Sequence, residues 1–127
     1  MEKKKILIVD DEQDFVDLVK LRLETNNYQV ITASNGKQAF SIAAKEKPDL
    51  ILLDILMPEI DGVKVCQKLK SDPLTAGIVI VMLTAKDRPL DIKLAKQAGA
   101  DEYIIKPFDD RTLLFNIKQL LSRVKRS

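Results

Sequence analysis

The chain has 127 residues, 46% hydrophobic and 31% charged, which suits one domain with a sizeable apolar core and a well-solvated surface. Its 21 Lys and Arg against 19 Asp and Glu leave a net charge of +2, too small for bulk electrostatics to draw it to nucleic acid or an anionic membrane. With no histidine and a single cysteine, Cys66, the composition excludes an intramolecular disulfide, Ser-His-Asp and Cys-His catalysis, and His- or Cys-based metal frameworks.

In chain order, the first element is the apolar run Ile6-Leu7-Ile8-Val9, too short for a helix and without polar alternation, as expected of a strand buried on both faces. Phe15, Leu18, Val19, Arg22 and Leu23 follow at helical spacing, with Asp14 placed to cap the entry. A weaker strand signal, Tyr28-Gln29-Val30-Ile31-Thr32, precedes a second helix marked by Ala39, Phe40, Ile42, Ala43 and Ala44 after Asn35-Gly36. Leu50-Ile51-Leu52-Leu53 is the third strand, and Val63, Val65, Cys66 and Leu69 form a helix after Asp61-Gly62. The fourth strand is Ile78-Val79-Ile80-Val81-Met82-Leu83, and its helix carries Leu90, Ile92, Leu94, Ala95 and Ala98 and closes at Gly99. Tyr103-Ile104-Ile105 is the fifth strand. A last helix starts near Asp109 or Asp110, repeats Leu113, Ile117, Leu120, Leu121 and Val124, and finishes in lysine and arginine that suit its negative end. Strict alternation with short connections predicts a parallel sheet with right-handed crossovers, an α/β domain filling residues 1–127. No apolar run approaches the roughly 18 residues of a membrane span, and the basic N-terminus lacks a signal-like apolar region, so a cytoplasmic protein without membrane contact is expected.

The polar residues at the ends of the buried strands point to function. Strand one runs into Asp10-Asp11, strand three into Asp54, strand four into Thr84 and strand five into Lys106-Pro107. The carboxyl ends of parallel strands share one edge, where ligands bind at the switch in strand order. Three carboxylates, a hydroxyl and an ammonium therefore converge on one rim. Taken singly, the acids read as turn or cap residues, Thr84 as a helix cap and Lys106 as a surface lysine; their joint placement points to chemistry. Clustered carboxylates repel one another, and a hard divalent cation with few protein ligands, Mg²⁺, relieves this. A carboxylate beside Mg²⁺ can attack phosphorus, and phosphoryl transfer needs charge stabilisation more than acid–base machinery. Lys106 and the Thr84 hydroxyl supply a cation and a donor for phosphoryl oxygens.

The residues carrying these groups resemble the receiver domain of bacterial two-component response regulators, the fold of the chemotaxis regulator. The resemblance covers nearly the whole chain, from Lys4 to about Val124. Its most specific stretch is Asp54-Ile55-Leu56-Met57-Pro58-Glu59-Ile60-Asp61-Gly62, an Asp-x-x-Met-Pro-x-x-Asp-Gly pattern. Ile8-Val9-Asp10-Asp11-Glu12, Leu83-Thr84-Ala85-Lys86 and the run from Ala98 to Phe108 complete it. The resemblance implies a flavodoxin-like (βα)5 three-layer sandwich whose five-stranded parallel sheet has the order 2-1-3-4-5. It implies Asp54 as phosphoacceptor, Asp10, Asp11 and Asp54 with the Leu56 carbonyl as Mg²⁺ ligands, and Thr84 and Lys106 as groups that engage the phosphoryl oxygens. It implies Tyr103 as an aromatic switch that moves inward with Thr84, and a cis Lys106–Pro107 bond. Leu56 and Lys86 occupy the positions thought to tune phosphoryl lifetime, and a bulky apolar Leu56 predicts slow self-dephosphorylation.

Phosphorylation adds charge and acceptors that must bias a two-state element to signal. The resemblance places that element after Thr84 and on the surface of the last two helices and last strand, where Lys93, Lys96, Asp101, Asp110, Arg111 and Lys118 could contribute charge. The implied partners are a sensor histidine kinase, which brings the histidine this chain lacks, and a downstream partner, an effector domain or a second copy. Nucleic-acid contact by the domain itself is not expected. Two rivals share part of the pattern. An Mg²⁺-dependent phosphatase uses the same Asp, Thr and Lys, but typically has a second acid where this chain has Leu56. A receiver-like module that no longer takes phosphate would not be expected to keep all five polar groups.

Overall fold

The computed structural model of the chain describes residues 3–57, 60–85 and 89–123. In chain order the elements are β1 (Lys5–Val9), α1 (Gln13–Thr25), β2 (Gln29–Ala33), α2 (Gly36–Glu46), β3 (Leu50–Asp54), β4 (Leu56–Met57), β5 (Ile60–Asp61), α3 (Gly62–Ser71), β6 (Val79–Ala85), α4 (Pro89–Gln97), β7 (Glu102–Lys106) and α5 (Asp110–Arg123). Five strands form one parallel sheet in the order β2-β1-β3-β6-β7. Counted within that sheet alone the order is 2-1-3-4-5, as the resemblance implied.

The uninterrupted apolar runs are explained by two separate cores. Alternate strand residues point to opposite faces of a sheet. Leu7, Val9, Ile51, Leu53, Ile80 and Met82 point to the face covered by α2, α3 and α4, through Ala39, Ala43, Val63, Cys66, Leu69 and Ala95, with Ala98 just past α4. Ile6, Ile8, Leu50, Leu52, Val79, Val81 and Leu83 point to the other face, covered by Val16, Val19 and Leu23 of α1 and Leu113, Ile117 and Leu120 of α5. Every residue of β3 is buried, so neither face of that strand can carry a polar residue until Asp54 at its end. Each such Leu or Ile contributes about 1.5–3 kcal/mol of transfer free energy, which makes the central strands the most stable part of the domain.

Local chemistry sets the helix ends. Asn35 caps α2 by accepting from the Gln38 amide at 2.8 Å, and Asp61 caps α3 by accepting from the Val63 amide at 2.9 Å. Asp109 caps α5 by accepting from the Thr112 amide at 2.7 Å, a bond that holds its carboxyl below the usual range. The expected cap of α1 by Asp14 is not formed: the helix begins at Gln13 after an extended Glu12, and Asp14 lies inside the first turn, where its charge still suits the positive helix end. Gly99 closes α4 at φ 93°, with the Gly99 amide donating to Lys96 O and the Ala100 amide to Ala95 O. Cys66 is fully buried in α3, its thiol 3.7 Å from the Ala98 carbonyl; burial is the main reason its pKa is pushed up to about 11.

Two features go beyond the sequence pattern. Asp54, Thr84 and Lys106 are strand residues at β3, β6 and β7 rather than loop residues after them. The segment after β3 forms a small antiparallel hairpin, β4 with β5, pairing Leu56 with Asp61 and Met57 with Ile60. Lys86, Val124, Lys125 and Arg126, with the expectations attached to them, lie outside the described residues, as does the side chain of Leu56. Among the described residues no helix is long and apolar enough to cross a membrane.

Candidate functional site

Sheet register assembles the site. Val9, the last residue of β1, pairs with Leu53, so Asp10, just past β1, and Asp54, the last residue of β3, come side by side. Asp54 pairs in turn with Leu83, which places Thr84 next along β6, and Ala85 pairs with Lys106. Further bonds hold the two carboxylate-bearing ends: the Asp10 amide donates to Ala33 O at 3.2 Å, and the Ile55 amide to Leu83 O at 3.1 Å.

The central group is the Lys106 ammonium. It lies 3.0 Å from Asp10 Oδ2, 3.6 Å from Glu12 Oε1 and 3.7 Å from Asp54 Oδ2. The Asp10 side chain is fully buried and its second oxygen accepts from the Glu12 amide at 3.0 Å. Asp54 is 7% exposed, so its carboxylate reaches the surface only at the rim. Burial works against the charge on Lys106, but the hydrogen bond to Asp10 and the nearby Asp54, Asp10 and Glu12 charges outweigh it and raise its pKa above the ordinary lysine value. A lysine with a raised folded-state pKa contributes stability that is complete below its unfolded pKa of about 10.4 and is lost as pH rises through the folded value. Metal-free wild-type protein is therefore expected to exceed Lys106→Met in stability at pH 7–9, with the gap closing above about pH 10.5. Paired urea titrations across that range measure it, and a gap that stays constant to pH 11.5 would contradict it.

Carboxylate oxygens of Asp10, Glu12 and Asp54 all lie within 4.8 Å of one another. This set of hard anionic oxygens fits Mg²⁺, which takes few carboxylates and keeps several waters. The expected ligand set is only partly assembled. Asp10 and Asp54 come together with Glu12 as the third acid; Asp11, exposed like Glu12, is not among the three. Glu12 was visible in the sequence only as the third acid of the Asp10-Asp11-Glu12 run. The backbone of Leu56 lies in β4, two residues past Asp54, steadied by its pairing with Asp61.

Thr84 is buried, and its hydroxyl faces the Ala85 carbonyl at 3.5 Å, the limit of hydrogen-bond length. Tyr103 is half-buried between β7 and α4, packed on the α2–α4 core, with the Lys96 ammonium 5.5 Å from its ring centroid. Lys106–Pro107 is cis, as the resemblance implied.

Comparisons with known proteins agree with this architecture. Residues 6–118 match the family model described as the response regulator receiver domain. The chain is 47% identical over 120 residues to the alkaline phosphatase synthesis transcriptional regulatory protein PhoP of Bacillus subtilis (strain 168), covering 94% of this chain and 49% of that protein. It superposes with TM-score 0.90 and 39% identity on the signal receiver domain of a signal transduction histidine kinase from Syntrophus aciditrophicus, covering 98% of this chain and 94% of that one. With a CheY-like response regulator receiver domain protein from Methanospirillum hungatei JF-1 the TM-score is 0.89 at 33% identity, covering 95% of each chain. The chain spans about half the length of the curated relatives it matches. The shared motifs, sheet order and family match establish that the chain belongs to the receiver-domain family of two-component response regulators, proteins that act as phosphorylation-dependent signalling switches.

Proposed function

We propose that this domain accepts a phosphoryl group on Asp54 from a histidine kinase, or from a phosphotransfer protein, and relays the event to its α4–β7–α5 face. The observation that carries this reading is the single ammonium of Lys106, 3.0–3.7 Å from three carboxylates at one sheet edge. An Asp54 oxygen attacks phosphorus, the phosphorus–nitrogen bond of the donor phosphohistidine breaks, and the imidazole departs with the electron pair and takes a proton from water. Bound Mg²⁺, held by Asp10, Asp54 and the Leu56 carbonyl with Asp11 or Glu12, would neutralise charge on the transferring oxygens. Lys106 turns from Asp10 towards the new phosphoryl oxygens, and Thr84 leaves the Ala85 carbonyl to donate its hydroxyl to them. The space Thr84 vacates draws Tyr103 inward, changing a face that includes the exposed side chains Leu90, Leu94, Ile105 and Phe115. The domain catalyses its own phosphorylation and dephosphorylation rather than turning over a substrate. The same proposal makes residues 1–127 one cytoplasmic receiver unit whose partner is a second copy or an effector domain.

Incubation with acetyl phosphate, with and without Mg²⁺, tests this by intact mass and amide NMR. One phosphoryl group per chain and shifts at Thr84 and Tyr103 are expected only with the metal. Absence of an Mg²⁺-dependent change at those residues would overturn the switch, and continuous release of phosphate from generic esters would favour a phosphatase. The leucine two residues beyond Asp54 predicts a phosphorylated form lasting minutes or longer after donor removal. A lifetime of seconds would refute this.

A further inference from the structure

The phosphoryl site contains one interaction that its carboxylates do not explain. The Lys106 ammonium, besides its three anionic neighbours, lies 4.0 Å from the centroid of the Phe15 ring. That ring is itself braced. Phe108, two residues beyond Lys106, meets it edge-on with centroids 5.9 Å apart and planes at 77°. Both rings also pack against the apolar core beneath α1 and α5. A salt bridge from Arg22 of α1 to Asp110 of α5, at 2.7 Å, ties the two helices together on the same side.

We infer that Phe15 is a positioning residue for the phosphoryl chemistry, a fixed aromatic shelf that holds the Lys106 ammonium at the carboxylate rim; the inference rests on the function proposed above. Two physical points carry it. Lysine has a long, flexible stem and a strongly hydrated head, so an ammonium held by ion pairs alone samples many rotamers. An aromatic face attracts the cation without using any of its three N–H donors. The donors therefore remain available for Asp10 now and for phosphoryl oxygens later. A carboxylate in the place of the ring would compete with the phosphoryl group for those donors. With the ring as its support, Lys106 can exchange Asp10 for the phosphoryl group while keeping one contact throughout.

Phe15→Leu keeps an apolar side chain in the groove and removes the π face, whereas Phe15→Tyr keeps both. Phe15→Leu is expected to slow phosphate uptake from acetyl phosphate by about threefold, and Phe15→Tyr to restore the wild-type rate. A second readout needs neither phosphate nor metal. In selectively labelled protein, the Lys106 ε-methylene protons should be shifted upfield by the Phe15 ring current, and Phe15→Leu should return them to the position of the other lysines. An unshifted Lys106 signal in the wild type would overturn the inference, as would a Phe15→Leu protein with an altered urea midpoint but wild-type phosphorylation rate. If the wild type takes up no phosphate, the proposed function fails, and the Lys106 signal still decides whether the shelf exists.

Discussion

Asp54→Asn is expected to abolish phosphate incorporation, lowering the initial rate from acetyl phosphate by about a thousandfold or more, to background. The substitution is nearly isosteric, so the burial of Asp54 at the end of β3 and its pairing with Leu83 should survive. What changes is the chemistry. An amide oxygen is a poor nucleophile towards phosphorus, and the site loses one of three anionic oxygens within 4.8 Å of one another. Stability without metal should change little, because a repelling neighbour of Asp10 and Glu12 is removed together with a partner that lies 3.7 Å from Lys106. The comparison separates candidate acceptors as well. The Asp10 side chain is fully buried and both its oxygens are engaged, by Lys106 and by the Glu12 amide. Stoichiometric labelling that persists in Asp54→Asn would move the acceptor to Asp10 or Glu12 and would remove the central assignment of the proposed mechanism.

The difference between what the sequence shows and what the structure adds is itself physical. β1, β3 and β6 were plain because strands covered on both faces must be apolar at every position. β2 and β7 lie at the edges of the sheet, where some side chains face water, and their signals were correspondingly weak. Asp10, Asp54, Thr84 and Lys106 were legible as a group because parallel strands place their carboxyl ends together whatever the loop details. That Glu12 rather than Asp11 would stand within 4.8 Å of Asp10 and Asp54 was not legible. It depends on how the chain turns from β1 into α1, and neighbouring acids in a loop carry no periodicity. Nor was the β4–β5 hairpin, whose two-residue strands are too short for any pattern. The contact of Phe15 with Lys106 joins residues 91 positions apart in the chain and exists only once α1 and β7 have folded together.

The second large effect is expected from Gly62, which the sequence marked only as the last residue of the Asp-x-x-Met-Pro-x-x-Asp-Gly pattern, just before a helix. Gly62 opens α3, and its amide donates to Ile55 O at 3.2 Å. A Cβ there would overlap the Asp54 carbonyl oxygen and stand 2.8 Å from Ile55 Cα and 3.0 Å from Ile55 O. All three are backbone atoms, so no side-chain rotation relieves the overlap. The end of β3 cannot yield easily, because Asp54 is in register with Leu83 and the Ile55 amide is bonded to the Leu83 carbonyl. The start of α3 must move instead, and with it Asp61, which both caps that helix and pairs with Leu56 in the hairpin. Overpacking of this kind costs about 1–3 kcal/mol, and the rigid neighbours put this site at the upper end. The helix-propensity gain of alanine over glycine, at most about 1 kcal/mol and less in a first turn, cannot offset it. Gly62→Ala should therefore lose about 2 kcal/mol in urea denaturation and also take up phosphate more slowly, since the strain falls on the Asp54 backbone. Gly77→Ala is the matched control: a Cβ there meets nothing within 4 Å, and its stability should stay within about 0.5 kcal/mol of wild type. Equal stability of the two variants would mean that the close approach of α3 to the acceptor strand does not hold in solution.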